Sequence, residues 1–308
     1  MTRQDSSGPQ PAALRQTSAP RSAPGRPPAG RGKRIGLAAL GWFLALFVLG
    51  PLYIILINSF KSRKQIFSDQ LGLPSSFSWE YYQEASRKMD FGRALWNSFW
   101  EVAVSVILIV LISAITAWAL NRRHTRGSKL LFVLFISMTL IPFQAVMLPL
   151  VQYFTKWTIP ALGFKMVGTL YGLIFFNIGF GLPLSIFLFH GAVTQVPMSM
   201  EESATIDGCN RWQLFWRIVF PNLTPMAITV GILNVISYWN DYLLPSMVIQ
   251  DPKLRTIPLS TFYFFGEFNI QWNLALAGLV MTILPVVLFY LFAQRYIIDS
   301  VMTGAVKG

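Results

Sequence analysis

The sequence predicts an all-α membrane protein with six transmembrane helices. Of its 308 residues, 54% are hydrophobic and only 12% are charged, whereas an ordinary soluble domain has about 25% charged residues. The apolar residues collect into six stretches of roughly 20 positions, the length that an α-helix needs to cross the hydrocarbon of a bilayer. A soluble protein is excluded by this pattern, and the single cysteine excludes a disulfide framework within one chain.

Residues 1–34 differ from the rest of the chain. They contain six prolines, four glycines, seven basic residues and one acidic residue, Asp5. Such a segment cannot bury enough apolar surface to offset the entropy of ordering it. We expect a disordered basic cytoplasmic tail followed by a six-helix domain over 35–308. A signal peptide is disfavoured, because the positive region is too long and no small-residue cleavage site follows.

The six spans are expected at 35–57, 102–120, 130–153, 169–189, 225–244 and 270–293. Prolines within spans are tolerated because neighbouring helices can satisfy the freed carbonyl groups. We therefore expect kinks, and no loss of helix, at five positions: Pro51, Pro142, Pro149, Pro183 and Pro285.

Basic residues predict the orientation. With these spans, 15 lysines and arginines lie on the side of the N-terminal tail and 10 on the opposite side. Loops rich in basic residues stay in the cytoplasm, so both termini are predicted to be cytoplasmic. This distribution also explains the net charge of +12 with no nucleic-acid partner.

The loop between spans four and five, 191–224, carries the most information. Pro197 suits a first helical turn, Glu201 and Glu202 favour the positive end of a helix dipole, and Gly208 is a typical helix terminator. A short helix over 197–208 is predicted, then a second one over 211–220 that ends at Pro221.

This hairpin is suited to docking on another protein. Small residues Ser203 and Ala204 would let the first helix sit deep in a groove, and Glu202 and Asp207 would meet basic residues there. The alternative is a connector that packs on the membrane surface.

The same residues carry a family resemblance. Glu202-Ser203-Ala204, Gly208, Ile218 and Pro221 resemble the motif of permease subunits in binding-protein-dependent ATP-binding-cassette (ABC) importers, which is written Glu-Ala-Ala, three residues, Gly, nine residues, Ile, two residues, Pro. Ser203 stands where that motif has alanine. Further short motifs are similar to those of the smaller permease of maltose-type sugar importers: Asn97-Ser98, Trp239-Asn240-Asp241 with Pro245, Thr256-Ile257-Pro258-Leu259 and Gln294-Arg295-Tyr296.

The resemblance, which covers about 35–308, implies a fold, a mechanism and partners. It implies the type I importer permease fold, in a multi-pass protein of a bacterial or archaeal plasma membrane that imports a sugar or oligosaccharide. It implies a homologous second permease, two ATP-binding ATPase subunits and an extracytoplasmic solute-binding protein. The ATPase contacts would be Glu201, Glu202, Ser203, Ala204, Asp207 and Gly208 in the loop, and Gly304, Ala305, Val306, Lys307 and Gly308 in a terminal tail within 296–308.

No catalytic chemistry is expected on this chain. The phosphate-binding pattern Gly, four residues, Gly-Lys-Ser/Thr is absent, so ATP and magnesium would be bound by the partner ATPase, and no metal site is predicted. Glu101, Asp241 and His190 lie near the ends of spans, and Glu101 and His190 are interpreted as interfacial residues. This scarcity of ionisable groups at mid-membrane counts against the alternative of a stand-alone secondary carrier.

A candidate transport pathway is Tyr238-Trp239-Asn240-Asp241-Tyr242. Aromatic faces and a carboxylate within one turn suit stacking on a sugar ring and accepting its hydroxyl hydrogens. An aromatic belt at the outer membrane interface is the alternative interpretation, since tyrosine and tryptophan are enriched there.

Overall fold

The computed structural model describes residues 31–156, 158–159, 164–265 and 270–305. The tail expected at 1–34 lies outside this part of the chain except for its last four residues, which begin the first helix. The α-helices of the described residues are α1 (Arg31–Asn58), α2 (Arg63–Ser68), α3 (Glu80–Lys88), α4 (Phe91–Arg122), α5 (Arg126–Thr139), α6 (Phe143–Thr155), α7 (Leu170–Val193), α8 (Met198–Ile206), α9 (Arg211–Leu214), α10 (Phe220–Trp239), α11 (Leu243–Val248), α12 (Ile257–Phe262) and α13 (Trp272–Ala305).

The all-α prediction is confirmed. Besides the helices, strands β1 (Thr158–Ile159) and β2 (Phe164–Lys165) form a two-residue antiparallel pairing, and Pro252–Leu254 form a 3₁₀ turn. Within the described residues, five helices are long and apolar enough to cross a membrane: Ile35–Asn58, Phe91–Arg122, Leu170–Val193, Arg211–Trp239 and Trp272–Arg295. A sixth span exists if α5 and α6, which meet at an angle of 102°, are counted as one.

The third predicted span is therefore bent sharply and not merely kinked. The amides of Leu140 and Ile141 turn back to the carbonyl groups of Ser137 and Met138, which closes α5. Pro142 follows in an extended conformation, with ψ 125°. Proline has no amide hydrogen and disfavours helical geometry in the residue before it, so the chain leaves the helix here and α6 starts in a new direction.

The chain divides into two units after Gly50. In the first unit, residues 35–50 of α1 form an apolar helix whose side chains are almost all exposed, as suits a helix surrounded by lipid. The second unit, from Pro51 onward, contains the remaining helices and the packed interior.

Helices α4, α7 and α10 form the centre of the second unit. Helix α4 contributes small residues to this interior, and Ser105, Ser113, Ala114 and Ala117 are all fully buried. Small side chains allow close approach of helices in a membrane, where association depends on packing and hydrogen bonds because lipid is as apolar as the protein. Large side chains of α7, including Phe189, fill the space beside them.

Two glycines of α7 give a direct test of this packing. A Cβ atom at buried Gly181 would lie 2.3 Å from the Tyr238 hydroxyl oxygen and 2.6 Å from Cδ1 of Ile109, whereas one at exposed Gly179 would meet nothing within 4 Å. We expect Gly181→Ala to destabilise the protein by about 1–3 kcal/mol through overpacking. Thermal unfolding in detergent measures this.

Gly179→Ala is the matched control, since both substitutions remove a helical glycine. It should leave the melting temperature unchanged or raise it slightly. Equal melting temperatures for the two variants would contradict the packing described here.

Candidate functional site

The loop between α7 and α10 folds as a helical hairpin. Helix α8 follows Pro197 and stops at Gly208, whose φ of +85° is the left-handed conformation that glycine adopts readily. The amide of Cys209 donates to the carbonyl of Ala204 at 3.0 Å, which closes the end of α8. The predicted stop at Gly208 is confirmed.

The second helix of the hairpin does not end at Pro221, and that prediction was wrong. Helix α9 runs into a π-helical turn, Phe215–Val219, which continues directly into α10. In this turn the amide of Phe220 donates to the carbonyl of Phe215, five residues back. A proline normally clashes with the carbonyl group four residues before it. The wider π turn relieves that conflict, so Pro221 stays inside one continuous span.

Glu201 faces the interior of the protein. Its side chain is 5% exposed, and its carboxylate pairs with the Arg122 guanidinium, with Nη2 at 2.7 Å and Nε at 2.9 Å from Oε1. The indole Nε1 of Trp118 donates to the other carboxylate oxygen at 3.1 Å. Both oxygens are therefore engaged within the chain, and Glu201 differs in this from its neighbour Glu202, which is exposed.

Arg122 connects three helices at one end of the bundle. It is the last residue of α4, and its Nη2 also donates to the carbonyl oxygens of Val193, at the end of α7, and Val196, just before α8. Its Nη1 donates to Asn121 Oδ1 at 3.1 Å. A guanidinium suits this role because its five donors have a fixed planar geometry. Helix α8 is thus fastened to α4 and to the end of α7.

The opposite side of α8 is open. Glu202, Ser203, Asp207 and Gly208 are all exposed, while Glu201 and Ala204 are buried. Two apolar side chains share the exposed side with Glu202, since Met198 and Ile206 lie four residues before and after it on the helix. They are 50% and 86% exposed.

Three of these features were not found from the sequence. Met198 and Ile206 stand in a polar segment where nothing distinguishes a buried apolar residue from an exposed one. From the sequence, Arg122 is only one of the 15 basic residues on the side of the N-terminal tail. The one sign of its role in the sequence is its position at the end of an apolar helix.

The terminal residues expected to contact an ATPase are only partly described. Gly304 and Ala305 form the last turn of α13, so the helix continues well into the segment 296–308 that was expected to be a tail. Val306, Lys307 and Gly308 lie outside the described residues.

The candidate pathway residues do not form one shared surface. The Tyr238 hydroxyl donates to the carbonyl of Asn177 at 2.8 Å, and the Asp241 carboxylate accepts from the amides of Leu243 and Leu244.

The remaining three residues of this stretch have separate surroundings. Trp239 lines an apolar cavity of about 530 Å³ between α4, α10 and α13. Asn240 donates to the Ile236 carbonyl, and Tyr242 stacks on Phe262 with ring centres 4.0 Å apart. Burial raises the pKa of Asp241, and the two backbone amides partly offset this effect.

Glu101 is a buried residue, and its interpretation as an interfacial one was wrong. Helix α4 starts at Phe91, eleven residues earlier than the span expected at 102–120, so Glu101 lies well inside the helix and is 2% exposed. Its carboxylate accepts a hydrogen bond from Nδ2 of Asn177 on α7. The backbone carbonyl oxygen of Asn177 accepts a hydrogen bond from the Tyr238 hydroxyl of α10. One polar cluster therefore joins the three central helices.

His190 lies at the end of α7, as its position in the sequence indicated. It stacks on Phe132 with ring centres 3.8 Å apart, and its carbonyl oxygen accepts from Asn121. No group of three or more His, Cys, Asp or Glu side chains with the arrangement of a metal site occurs among the described residues.

Comparisons with known proteins agree on one kind of protein. A family model described as binding-protein-dependent transport system inner membrane component matches residues 109–301. The chain is 42% identical to the probable starch degradation products transport system permease protein AmyC of Thermoanaerobacterium thermosulfurigenes. The alignment spans 271 residues and covers 88% of this chain and 96% of AmyC. It is 32% identical over 259 residues to the melibiose/raffinose/stachyose import permease protein MelC of Bacillus subtilis (strain 168), covering 84% and 91% of the two chains.

A solved structure shows the same fold. A chain of a bacterial ABC transporter involved in the import of the acidic polysaccharide alginate aligns with a TM-score of 0.70, covering 88% of this chain and 99% of that one, at 20% sequence identity. The predicted permease fold of ABC importers is therefore confirmed.

The Arg122–Glu201 pair leads to a stability prediction. Removing one partner leaves the other charged and buried, so Arg122→Ala should destabilise the protein by about 3 kcal/mol, and Glu201→Ala should do the same. The double variant should cost less than the sum of the two, because it leaves no unpaired charge. Unfolding of the purified protein in detergent measures all three. Strictly additive losses would show that the two side chains do not interact.

Proposed function

The chain belongs to the family of binding-protein-dependent transport system inner membrane components, among the sugar permeases of ABC transporters, and from this membership we propose that it transmits ATP-driven motion through α8. In this proposal the exposed side of α8 docks in a cleft of an ATPase subunit. Closure of the ATPase dimer moves α8, and the movement passes into the membrane-spanning helices. Binding at one site is thereby linked to a conformational equilibrium at another.

The observation that carries the proposal is the two-sided character of α8. Its inner side is fastened by Glu201 to Arg122 at the end of α4, and its outer side presents Glu202 between exposed Met198 and Ile206. A helix fastened so firmly on one side cannot move without moving α4. Exposed apolar side chains bordered by polar ones are expected where a partner protein docks.

This division changes the roles within the expected coupling residues. We propose that Glu202, Ser203, Asp207 and Gly208 contact the ATPase. Glu201 and Ala204 act from the inner side, where they hold α8 against the bundle. Gly304 to Gly308 remain a proposed second ATPase contact.

The proposed assembly contains four further subunits. They are a homologous permease, two ATPase subunits that bind ATP and magnesium, and an extracytoplasmic solute-binding protein. The chain itself would not be an enzyme. With α8 on the ATPase side, both termini are cytoplasmic and the complex resides in a bacterial or archaeal plasma membrane.

The proposed cargo is a sugar or oligosaccharide. The names of AmyC and MelC, which refer to starch degradation products and to melibiose, raffinose and stachyose, support this class. On this chain, Tyr238 is the candidate that the contacts favour, because its hydroxyl lies beside polar groups of α4 and α7. Asn240, Asp241 and Tyr242 are weaker candidates, since each is engaged by its own surroundings.

One observation favours a second candidate function, a secondary carrier that uses an ion gradient. Glu101 is a carboxylate within a membrane-spanning helix, and such groups often mark proton or ion pathways. The two functions separate in proteoliposomes. Uptake that needs ATP and the ATPase subunits supports the importer, whereas uptake by this chain alone, driven by an ion gradient, supports the carrier.

The coupling role of α8 gives a specific prediction. Glu202→Lys should lower transport by the reconstituted importer at least about tenfold, because it reverses a charge on the docking side. The chain should still insert and fold, since Glu202 is exposed and its side chain forms no hydrogen bond or ion pair within the described residues. Uptake of labelled sugar and ATP hydrolysis, measured in the same proteoliposomes, give the coupling ratio.

Glu80→Lys is the matched control. Glu80 is an exposed glutamate of α3, so the variant has the same change in charge at a site away from α8. Wild-type transport in the Glu202→Lys variant would refute the docking role.

A further inference from the structure

Near the start of α4, the motif Asn97-Ser98 is hydrogen-bonded to the segment 253–257, which is far from it in the sequence. Nδ2 of Asn97 donates to the carbonyl oxygens of Lys253 at 2.9 Å and Arg255 at 3.0 Å. The amide of Ile257 donates to the Ser98 hydroxyl at 2.8 Å. Asn97 and Ser98 are 6% and 1% exposed. Three hydrogen bonds between buried side chains and the backbone therefore fix the segment 253–257, and with it the backbone of two basic residues.

These basic residues border a small polar recess. The recess has a volume of about 110 Å³ and is lined by Lys88, Asp90, Lys253 and Arg255 together with Met89, Pro252, Ser260 and Tyr263. Three positive charges face one negative charge. The carboxylate of Asp90 already pairs with Arg93 at 3.1 Å, so the lining has an excess of positive charge.

The three cations differ in how much of their bonding capacity is used. Lys88 binds Glu84 at 2.8 Å and Gln271 at 3.1 Å. The Arg255 guanidinium lies over the Tyr263 ring, 5.1 Å from its centre, which orients it without using its N–H groups. Within the described part of the chain, the Lys253 ammonium has no hydrogen-bond or ion-pair partner. Lys253 and Arg255 therefore present free donors from backbone positions that the hydrogen bonds of Asn97 and Ser98 fix.

The recess lies at the opposite end of α4 from Arg122 and α8. Helix α4 has 32 residues, which corresponds to a length of about 48 Å, enough to cross a bilayer. Asp90 directly precedes α4, and it is the non-glycine residue with positive φ, 47°, among the described residues. The recess is therefore on the side where solute would arrive if α8 faces the ATPase.

We propose that this recess receives a surface carboxylate of the solute-binding protein when that protein docks on the permease. The inference rests on the proposed importer function. A guanidinium beside an ammonium binds a carboxylate through charge-assisted hydrogen bonds. The recess, of about 110 Å³, has room for one carboxylate group. Charges at the rim of an interface act mainly on the rate of association.

The first test is a zero-length crosslink. The complete importer, reconstituted in lipid nanodiscs with the solute-binding protein that co-purifies with it, is treated with a carbodiimide, which joins lysine amines directly to carboxylates. Mass spectrometry should find Lys253 joined to an aspartate or glutamate of the binding protein. A Lys253 that is joined only to residues of its own chain would overturn the proposal.

The second test measures ATP hydrolysis stimulated by the binding protein. The Lys253→Glu and Arg255→Glu double variant should need about ten times more binding protein for half-maximal stimulation at low salt. For the wild type this concentration should rise with ionic strength, because salt screens exposed charges. Lys64→Glu is the matched control for Lys253→Glu alone, since Lys64 is an exposed lysine of α2 outside the recess.

The remaining outcomes separate the possible failures. If the double variant responds to the binding protein as the wild type does, the recess is not a docking site. If its defect appears without binding protein and depends on the fraction of anionic lipid, the recess binds lipid phosphate and the proposal is wrong. If ATP hydrolysis by the wild type ignores the binding protein, the importer function itself fails, and this inference fails with it.

Discussion

The ion pair between Arg122 and Glu201 is the interaction on which the proposed working of this protein depends. It turns one carboxylate of α8 inward and thereby leaves the next, Glu202, on the outside. A buried pair of this kind adds little stability compared with a well-packed apolar alternative. Its value is geometric, because a short helix of nine residues has too little apolar surface to hold its own orientation. The pair supplies that orientation and connects α8 to a helix that crosses the membrane.

Much of the fold could be predicted from the sequence, because the bilayer requires long apolar helices and glycine stops a helix for local reasons. The failures lie where tertiary contacts decide. Glu101 was placed at an interface because the predicted span began at residue 102, but α4 starts earlier and Asn177 on another helix satisfies the buried carboxylate. Pro221 was taken as a helix end, since sequence patterns do not reveal a π turn. The adjacent Glu201 and Glu202 look alike in sequence, and only Arg122 distinguishes them.

Helix α4 organises both ends of the molecule. At one end Asn97 and Ser98 hold the segment 253–257, and at the other Arg122 holds α8 and the end of α7. Between these ends, small residues and Glu101 attach it to α7 and α10. The contacts at the two ends are hydrogen bonds between side chains of α4 and backbone or carboxylate groups, so they are directional, and a rotation of α4 would disturb both. A displacement at one end of α4 would in this way reach the other end.

The π turn at Phe215–Val219 has a consequence for how such a protein can diverge. It holds one residue more than a regular helix of the same span needs. A π turn with its extra residue advances the helix by about the same angle and rise as an α turn without it, so loss of that single residue would restore α-helical winding and leave the hairpin and α10 in nearly the same relation. The direction in which the hairpin points is therefore buffered against a change of one residue within this helical turn. A lineage could gain or lose one codon here without turning the hairpin away from its neighbour.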